Sequence, residues 1–144
     1  MSTRANKQIV MRVFETLFND GALKQVEKLV DTAVLGKPMG GRGPHETIVV
    51  IENLRRAFPD LKFDVEELIA EGDRVVARWM MTGTQFGPLF AIAASGRGVA
   101  VRGITIFRIN EGRWAEAWGS WDMPHMLSQL GHPVPGLAPA EPPA

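Results

Sequence analysis

Helices in the first half of the chain followed by a four-strand antiparallel sheet in the second, an α+β pattern, is the architecture this sequence predicts. Two observations carry it. Apolar residues recur at three- and four-residue spacing up to Phe58, and beyond Pro59-Asp60 the period falls toward two. Two turn signals, Glu71-Gly72-Asp73 and Asn110-Glu111-Gly112, each stand between runs rich in β-formers and mark hairpins.

The elements follow in order. Ile9, Val10, Val13, Phe14, Leu17 and Phe18 make the apolar stripe of a first amphipathic helix, which ends near Asn19-Asp20-Gly21. A short second helix, about Leu23 to Val30, buries Val26, Leu29 and Val30. Gly36 to Pro44, rich in glycine and proline, reads as a hinge or flap rather than a regular element. A third helix from Pro44 to about Phe58 buries Ile48, Ile51, Leu54, Ala57 and Phe58, and Pro59-Asp60 ends it. The strands come from Lys62 to Gly83, Val99 to Ile109 and Arg113 to Trp121. Between the hairpins, Gly83 to Gly98 is either a connection packed under the sheet edge or a pocket wall or lid. In the second reading Phe86, Leu89 and Phe90 border the cavity. The tail from His132 carries five prolines and is expected to be disordered, outside a single domain at residues 1–131.

Composition removes several functions. A chain of 144 residues with 45% hydrophobic content is one domain with room for a core and a pocket. Sixteen basic and sixteen acidic residues balance, which argues against a nucleic-acid or anionic-membrane surface. The absence of cysteine excludes disulfides, thiolate nucleophiles and cysteine metal sites. The N-terminus alternates charge with apolar residues and lacks the apolar core of a signal peptide, and no apolar run reaches the length of a membrane span, so a cytoplasmic location is expected. His45, His125 and His132 lack metal-ligand spacing, and no metal site is predicted. The glycine clusters at Gly40-Gly41-Arg42-Gly43 and Ser95-Gly96-Arg97-Gly98 read as turns, because neither has the lysine and helix of a phosphate loop.

The stretch from Gly112 to Gly131 carries the most chemistry. It reads as a strand that delivers one acid, Asp122, to the start of a helix. If the strand is unbroken, Trp114, Glu116, Trp118, Ser120 and Asp122 share one face. Asp122 before Met123-Pro124 is also a good helix N-cap. Both roles are open to it, since one carboxylate oxygen can accept from the backbone while the other faces a ligand. His125, three residues on, could share that helix face. Arg108 is expected to pair with Glu116 across the hairpin.

The ordered marks Ala57-Phe58-Pro59-Asp60, Gly72-Asp73-Arg74-Val75, Arg78, Gly83-Thr84, Gly96, Phe107-Arg108, Gly112, Glu116, Trp118, Asp122 and Gln129-Leu130-Gly131 give the chain a likeness over nearly its whole length except the tail. It resembles the SnoaL-like polyketide cyclases of the NTF2-like superfamily. That resemblance implies a cone, in which a curved antiparallel sheet wraps around the N-terminal helices and encloses an apolar cavity. It further implies a homodimer through the outer sheet surface, to which Ala115, Ala117 and Gly119 would contribute. Asp122 would act as acid/base in an intramolecular aldol ring closure of a polycyclic or polyketide-like small molecule, with no cofactor. Trp118, Trp114, Phe86, Phe90, Phe14 and Met80 are the expected cavity residues, with Arg102 a candidate oxyanion partner and His125 a secondary one. A non-catalytic binding protein, or an enzyme of the same fold with another reaction such as isomerisation or epoxide opening, is the alternative.

Overall fold

A computed structural model describes residues 2–37 and 41–136. Helix α1 (Thr3–Arg12) starts at Ser2, whose hydroxyl accepts the Ala5 N–H, and runs without a break into a π-helical turn, Val13–Asn19. A 3₁₀ turn (Leu23–Gln25) and a single-turn helix α2 (Val26–Leu29) follow. The chain then enters strand β1 (Val30–Lys37), which the sequence reading missed by extending the helix to Val30 and beginning a loop at Gly36. The expected Gly36–Pro44 loop is correspondingly shorter. Gly36 and Lys37 belong to β1, residues 38–40 lie outside the described residues, and a two-residue strand β2 (Gly41–Arg42) leads directly into α3 (Gly43–Ala57). Strands β3 (Lys62–Glu71), β4 (Arg74–Thr84), β5 (Gly98–Asn110) and β6 (Arg113–Trp121) and the terminal helix α4 (Met123–Gln129) complete the fold.

The sheet has six strands in the order β2-β1-β6-β5-β4-β3, two more than the hairpins alone supply. All neighbours are antiparallel except β1 and β6, which run parallel. Helices α1 and α3 cover its concave face, and Val10, Val13, Leu17, Ile51, Phe58, Val75 and Val101 are the fully enclosed centre of the core. Besides the shift between Val30 and Leu35 where β1 meets β6, two bulges bend the antiparallel part of the sheet. In β3 the register shifts between Val65 and Glu67, and in β6 between the pairs Arg108↔Glu116 and Ile109↔Trp114, so that Ala115 is the extra residue.

The second bulge corrects the alternation expected for the last strand. Trp114 faces inward, Ala115 is also buried, and from Glu116 onward the parity is reversed. Ala117, Gly119 and Trp121 therefore point to the concave side, while Glu116, Trp118 and Ser120 lie on the convex one. The idea that Ala115, Ala117 and Gly119 form a flat outer contact face is overturned by the same shift.

The connection at residues 85–97 is pinned. Gln85 is fully buried, and its side chain donates to Ile92 O and accepts the Ser95 N–H at 3.3 and 3.2 Å. Phe86 and Gly87 donate their backbone N–H groups to Ala57 O at the end of α3. A β-carbon on Gly87 would strike the Arg56 carbonyl, so glycine is what lets the loop cross there. Of the Pro-rich tail, His132–Gly136 has no regular structure, and residues 137–144 lie outside the described residues.

Candidate functional site

A cavity of about 150 Å³ opens between α3, the π-helical turn and the concave face of the sheet. Its floor is an aromatic cluster that the helix and strand periods bring together. Phe14 meets Phe107 edge-on with ring centroids 5.7 Å apart, Phe63 meets Trp79 at 4.9 Å, and Phe107 meets Trp114 at 5.4 Å. Such pairs add to plain burial through the ring quadrupoles and give a stiff, dry wall. Leu54, Val50 and Ile51 of α3 form the opposite side.

Of the lining, Lys37 and Phe90 are exposed and mark the open side, and Trp121 is half-buried. Phe90 is held there by a two-residue turn in which Leu89 and Ile92 exchange backbone hydrogen bonds of 2.9 and 2.7 Å. Both central residues have positive φ, 46° at Phe90 and 65° at Ala91. Such turns favour Asn-Gly, and a bulky residue there is strained by about 1–3 kcal/mol. The pinned loop holds the aromatic ring at the mouth against that cost.

The polar groups of the lining are few. Thr47 donates its hydroxyl to Gly43 O at 3.0 Å, Thr105 accepts the Trp79 indole N–H at 2.9 Å, and Lys37 supplies a cation. Trp114, with 6% of its surface exposed, keeps its indole N–H without a partner. A buried donor left unmade costs about 1–3 kcal/mol. Among the described residues Lys37 is the one titratable side chain of the lining. Among the described residues no carboxylate, amide or imidazole lines the cavity.

The expected site residues divide accordingly. Phe14, Phe90 and Trp114 line the cavity. Phe86 does not, because the backbone bonds to Ala57 turn its ring outward, where it is 64% exposed. Met80 and Trp118 stand on the convex side, the first by strand alternation and the second by the Ala115 bulge, and Arg74 stacks over the Trp118 ring at 5.1 Å. Arg102 is also convex and exposed, paired with Glu66 at 3.5 Å, which removes it as an oxyanion partner inside the cavity. Arg108 pairs with Glu116 at 3.0 Å, as its place in the hairpin implied. His125 is half-buried on α4 and outside the lining.

Asp122 is exposed and caps α4, its Oδ1 accepting the His125 N–H at 3.1 Å. Its own N–H donates to Arg102 O, and Trp121 beside it lines the cavity. Asp122 itself is not among the residues that line the cavity. Sequence reasoning missed Lys37, Thr105 and Trp121 as lining residues. Alternation along β5 marks Thr105 once Val101 and Phe107 are inward, but nothing local distinguishes Lys37, which depends on β1 joining the sheet beside β6.

A curved, unclosed sheet over helices, with an apolar cavity opening between them, defines an NTF2-like α+β cone. The chain belongs to the SnoaL-like polyketide cyclase family, whose sequence model matches residues 8–130. TsrD from Streptomyces laurentii is similar at 28% identity and a TM-score of 0.84, over 92% of this chain and 98% of that one. A Jannaschia sp. CCS1 protein named for the same family has 25% identity and a TM-score of 0.82, over 92% and 95%. IdmH from Streptomyces antibioticus, a candidate polyketide cyclase, shares the fold at 23% identity and a TM-score of 0.75, over 88% and 98%. No curated protein sequence matches. Among the described residues no helix is long and apolar enough to cross a membrane.

Proposed function

We propose that this protein is a cyclase-type enzyme that folds an apolar, polyketide-like chain for intramolecular ring closure, with proton transfer at the cavity mouth. The observation that carries this reading is the lining itself, aromatic and dry with donors at its few polar points. An apolar space of roughly 150 Å³ accepts a benzene-sized group. One ring of a larger substrate fits inside, and the rest lies across Lys37, Phe90 and Trp121. Holding both reacting carbons of one molecule in contact is a large part of the work in such a closure.

Asp122 is the acid/base in this proposal. Only its Oδ1 is used by the helix cap, which leaves Oδ2 for substrate. The carboxylate takes a proton from the carbon beside a carbonyl, the resulting enolate carbon bonds to a second carbonyl carbon, and the alkoxide recovers the proton. No atom is gained or lost, and the chemistry requires no cofactor. Asp122→Asn keeps the cap and removes the titratable group, so turnover of a polyketone analogue is expected to fall by about two to four powers of ten with the melting temperature preserved. Unchanged product formation by the folded variant would refute proton transfer at Asp122.

A second reading, a non-catalytic small-molecule binder, is favoured by one observation: among the described residues no carboxylate lines the cavity. It predicts that the analogue binds and leaves unchanged.

We also propose that a second copy of the chain packs on the convex sheet face. Ile69, Ile104 and Ile106 are exposed there, at 57%, 48% and 38%, among the ion pairs of Arg78 and Arg102. A mixed face of this kind suits a partner bearing the same pattern in reverse.

A further inference from the structure

Among the described residues two hydroxyls line the cavity, and they are placed differently. Thr47 spends its hydrogen on Gly43 O at 3.0 Å, within its own helix. Thr105 accepts the Trp79 indole N–H at 2.9 Å, and its own hydrogen has no acceptor among those residues. We propose that the Thr105 hydroxyl is a ligand-binding group, donating to a carbonyl or enolate oxygen on the ring seated in the cavity.

Gly119 makes that hydroxyl reachable. Thr105 stands on β5 with Gly119 of β6 as its cross-strand partner, and Gly119 belongs to the lining. A β-carbon built on Gly119 would have Thr105 Oγ1 as its nearest neighbour, at 3.6 Å, with Lys37 O next at 4.0 Å. Nothing else beyond the adjoining residues comes within 4 Å, so the space over Gly119 is open and the hydroxyl oxygen borders it. A ligand oxygen approaches Thr105 from there. Gly103, the partner of Trp79 in the β4–β5 ladder, makes the matching room for the indole, since a β-carbon there would strike the ring.

The indole sets what the hydroxyl requires. With a donor already on its oxygen, the group is polarised toward donating in turn, and bonds in such a chain strengthen one another. A ketone oxygen completes the chain that runs from the Trp79 N–H through Thr105 to the ligand. Val101 and Phe107, on the same face of β5, are apolar, so the ring meets one polar point in an otherwise apolar wall. An aryl or cyclic ketone matches this arrangement. In a ring closure the same hydroxyl would favour the oxygen on which negative charge develops.

The proposal rests on the reading of the cavity as a ligand site, and the experiment separates the two claims. Acetophenone and ethylbenzene have nearly the same shape and differ by the carbonyl oxygen. Titration calorimetry gives the dissociation constants of both for the wild-type chain, Thr105→Val and Thr105→Ser. Both compounds are expected to bind the wild type. Valine keeps the shape of threonine and removes the hydroxyl, so the affinity for acetophenone relative to ethylbenzene is expected to fall by about threefold to tenfold. Serine keeps the hydroxyl and should hold the wild-type ratio. A ratio unchanged by valine, or lowered equally by valine and serine, would overturn the role of the hydroxyl while leaving the cavity as a ligand site. Failure of both compounds to bind the wild type would overturn both claims. Valine also leaves the Trp79 N–H without an acceptor, and should that variant not fold, Gly119→Ala decides. Its added β-carbon makes ordinary contacts and leaves the Trp79–Thr105 bond in place, while filling the approach to the hydroxyl. A selective loss of acetophenone binding then supports the proposal, and an equal effect on both compounds, or none, refutes it.

Discussion

The two faces of the β4-β5-β6 sheet are made by the same strands and have opposite chemistry. On the concave face Trp79, Met81, Val101, Phe107 and Trp114 build an apolar wall in which the Trp79 indole is held by Thr105. On the convex face Arg78, Arg102 and Arg108 pair with Glu66, Glu67 and Glu116 at 3.0–3.5 Å, and isoleucines stand exposed between them. Such surface pairs contribute about 0–1 kcal/mol each, so the convex face adds little to stability and is free to serve association. The concave face carries the core and the site together. What separates the two is parity along each strand, and in β6 that parity is set by one residue, Ala115.

Deleting Ala115 is therefore the severest test. Without the bulge, every side chain from Glu116 to Trp121 exchanges faces, placing Glu116 and Trp118 in the core and expelling Ala117 and Trp121. Loss of the cooperative thermal transition is expected, and a stable variant would show that the bulge does not set the register.

Gly103→Ala probes how closely the concave wall is packed. Gly103 lies across from Trp79, and a β-carbon there would run into the Trp79 ring and the Ser120 carbonyl. A destabilisation of about 1–3 kcal/mol is expected in urea unfolding, because overpacking pushes the indole off Thr105 toward the cavity. Equal stability would mean that the ring moves aside at no cost.

On the convex face, Ile104→Lys should leave the melting temperature of the isolated chain within about 1 °C, an effect typical of an exposed site. Its consequence is expected in association. Light scattering should show a dimer for the wild type and a monomer for the variant at the same concentration. A monomeric wild type would remove the proposed interface.

The smallest effect belongs to a residue on neither face. Asp60 accepts the Thr84 N–H at 2.7 Å and the Thr84 hydroxyl at 2.8 Å, tying the start of β3 to the end of β4. The backbone hydrogen bond from Thr84 is the main reason its carboxyl titrates below the ordinary 3.8, against the opposing effect of desolvation. With the folded value lowered, the stabilisation is present above 3.8 and is lost as pH falls through the folded value. Because Asp60 is exposed, the contribution is below about 1 kcal/mol. The stability gap between wild type and Asp60→Asn should narrow below about pH 4. A gap independent of pH would show that the ionised carboxylate is not what Thr84 recognises.

Much of this was legible in the residues. The period change after Phe58, the two hairpin turns, the helix start at Asp122-Met123-Pro124 and the Arg108–Glu116 pair all depend on neighbours in sequence or across a short turn, where local stereochemistry decides. The ordered family marks extended that reading to the cone. Of the site, Phe14 came from helix spacing, Phe90 from an apolar loop that needed a surface to cover, and Trp114 from its strand.

Tertiary structure alone decided the rest. Val30 and Leu35–Lys37 become strand by pairing with β6, over eighty residues away, which brings Lys37 into the cavity lining. The alternation of Trp114, Glu116, Trp118, Ser120 and Asp122 is unbroken as text. The Ala115 bulge exists because the sheet must curve over α1 and α3, and curvature is a property of packed layers that no single strand encodes. It turns Trp118 to the convex side, away from the cavity that Trp114 lines, while Asp122 caps α4.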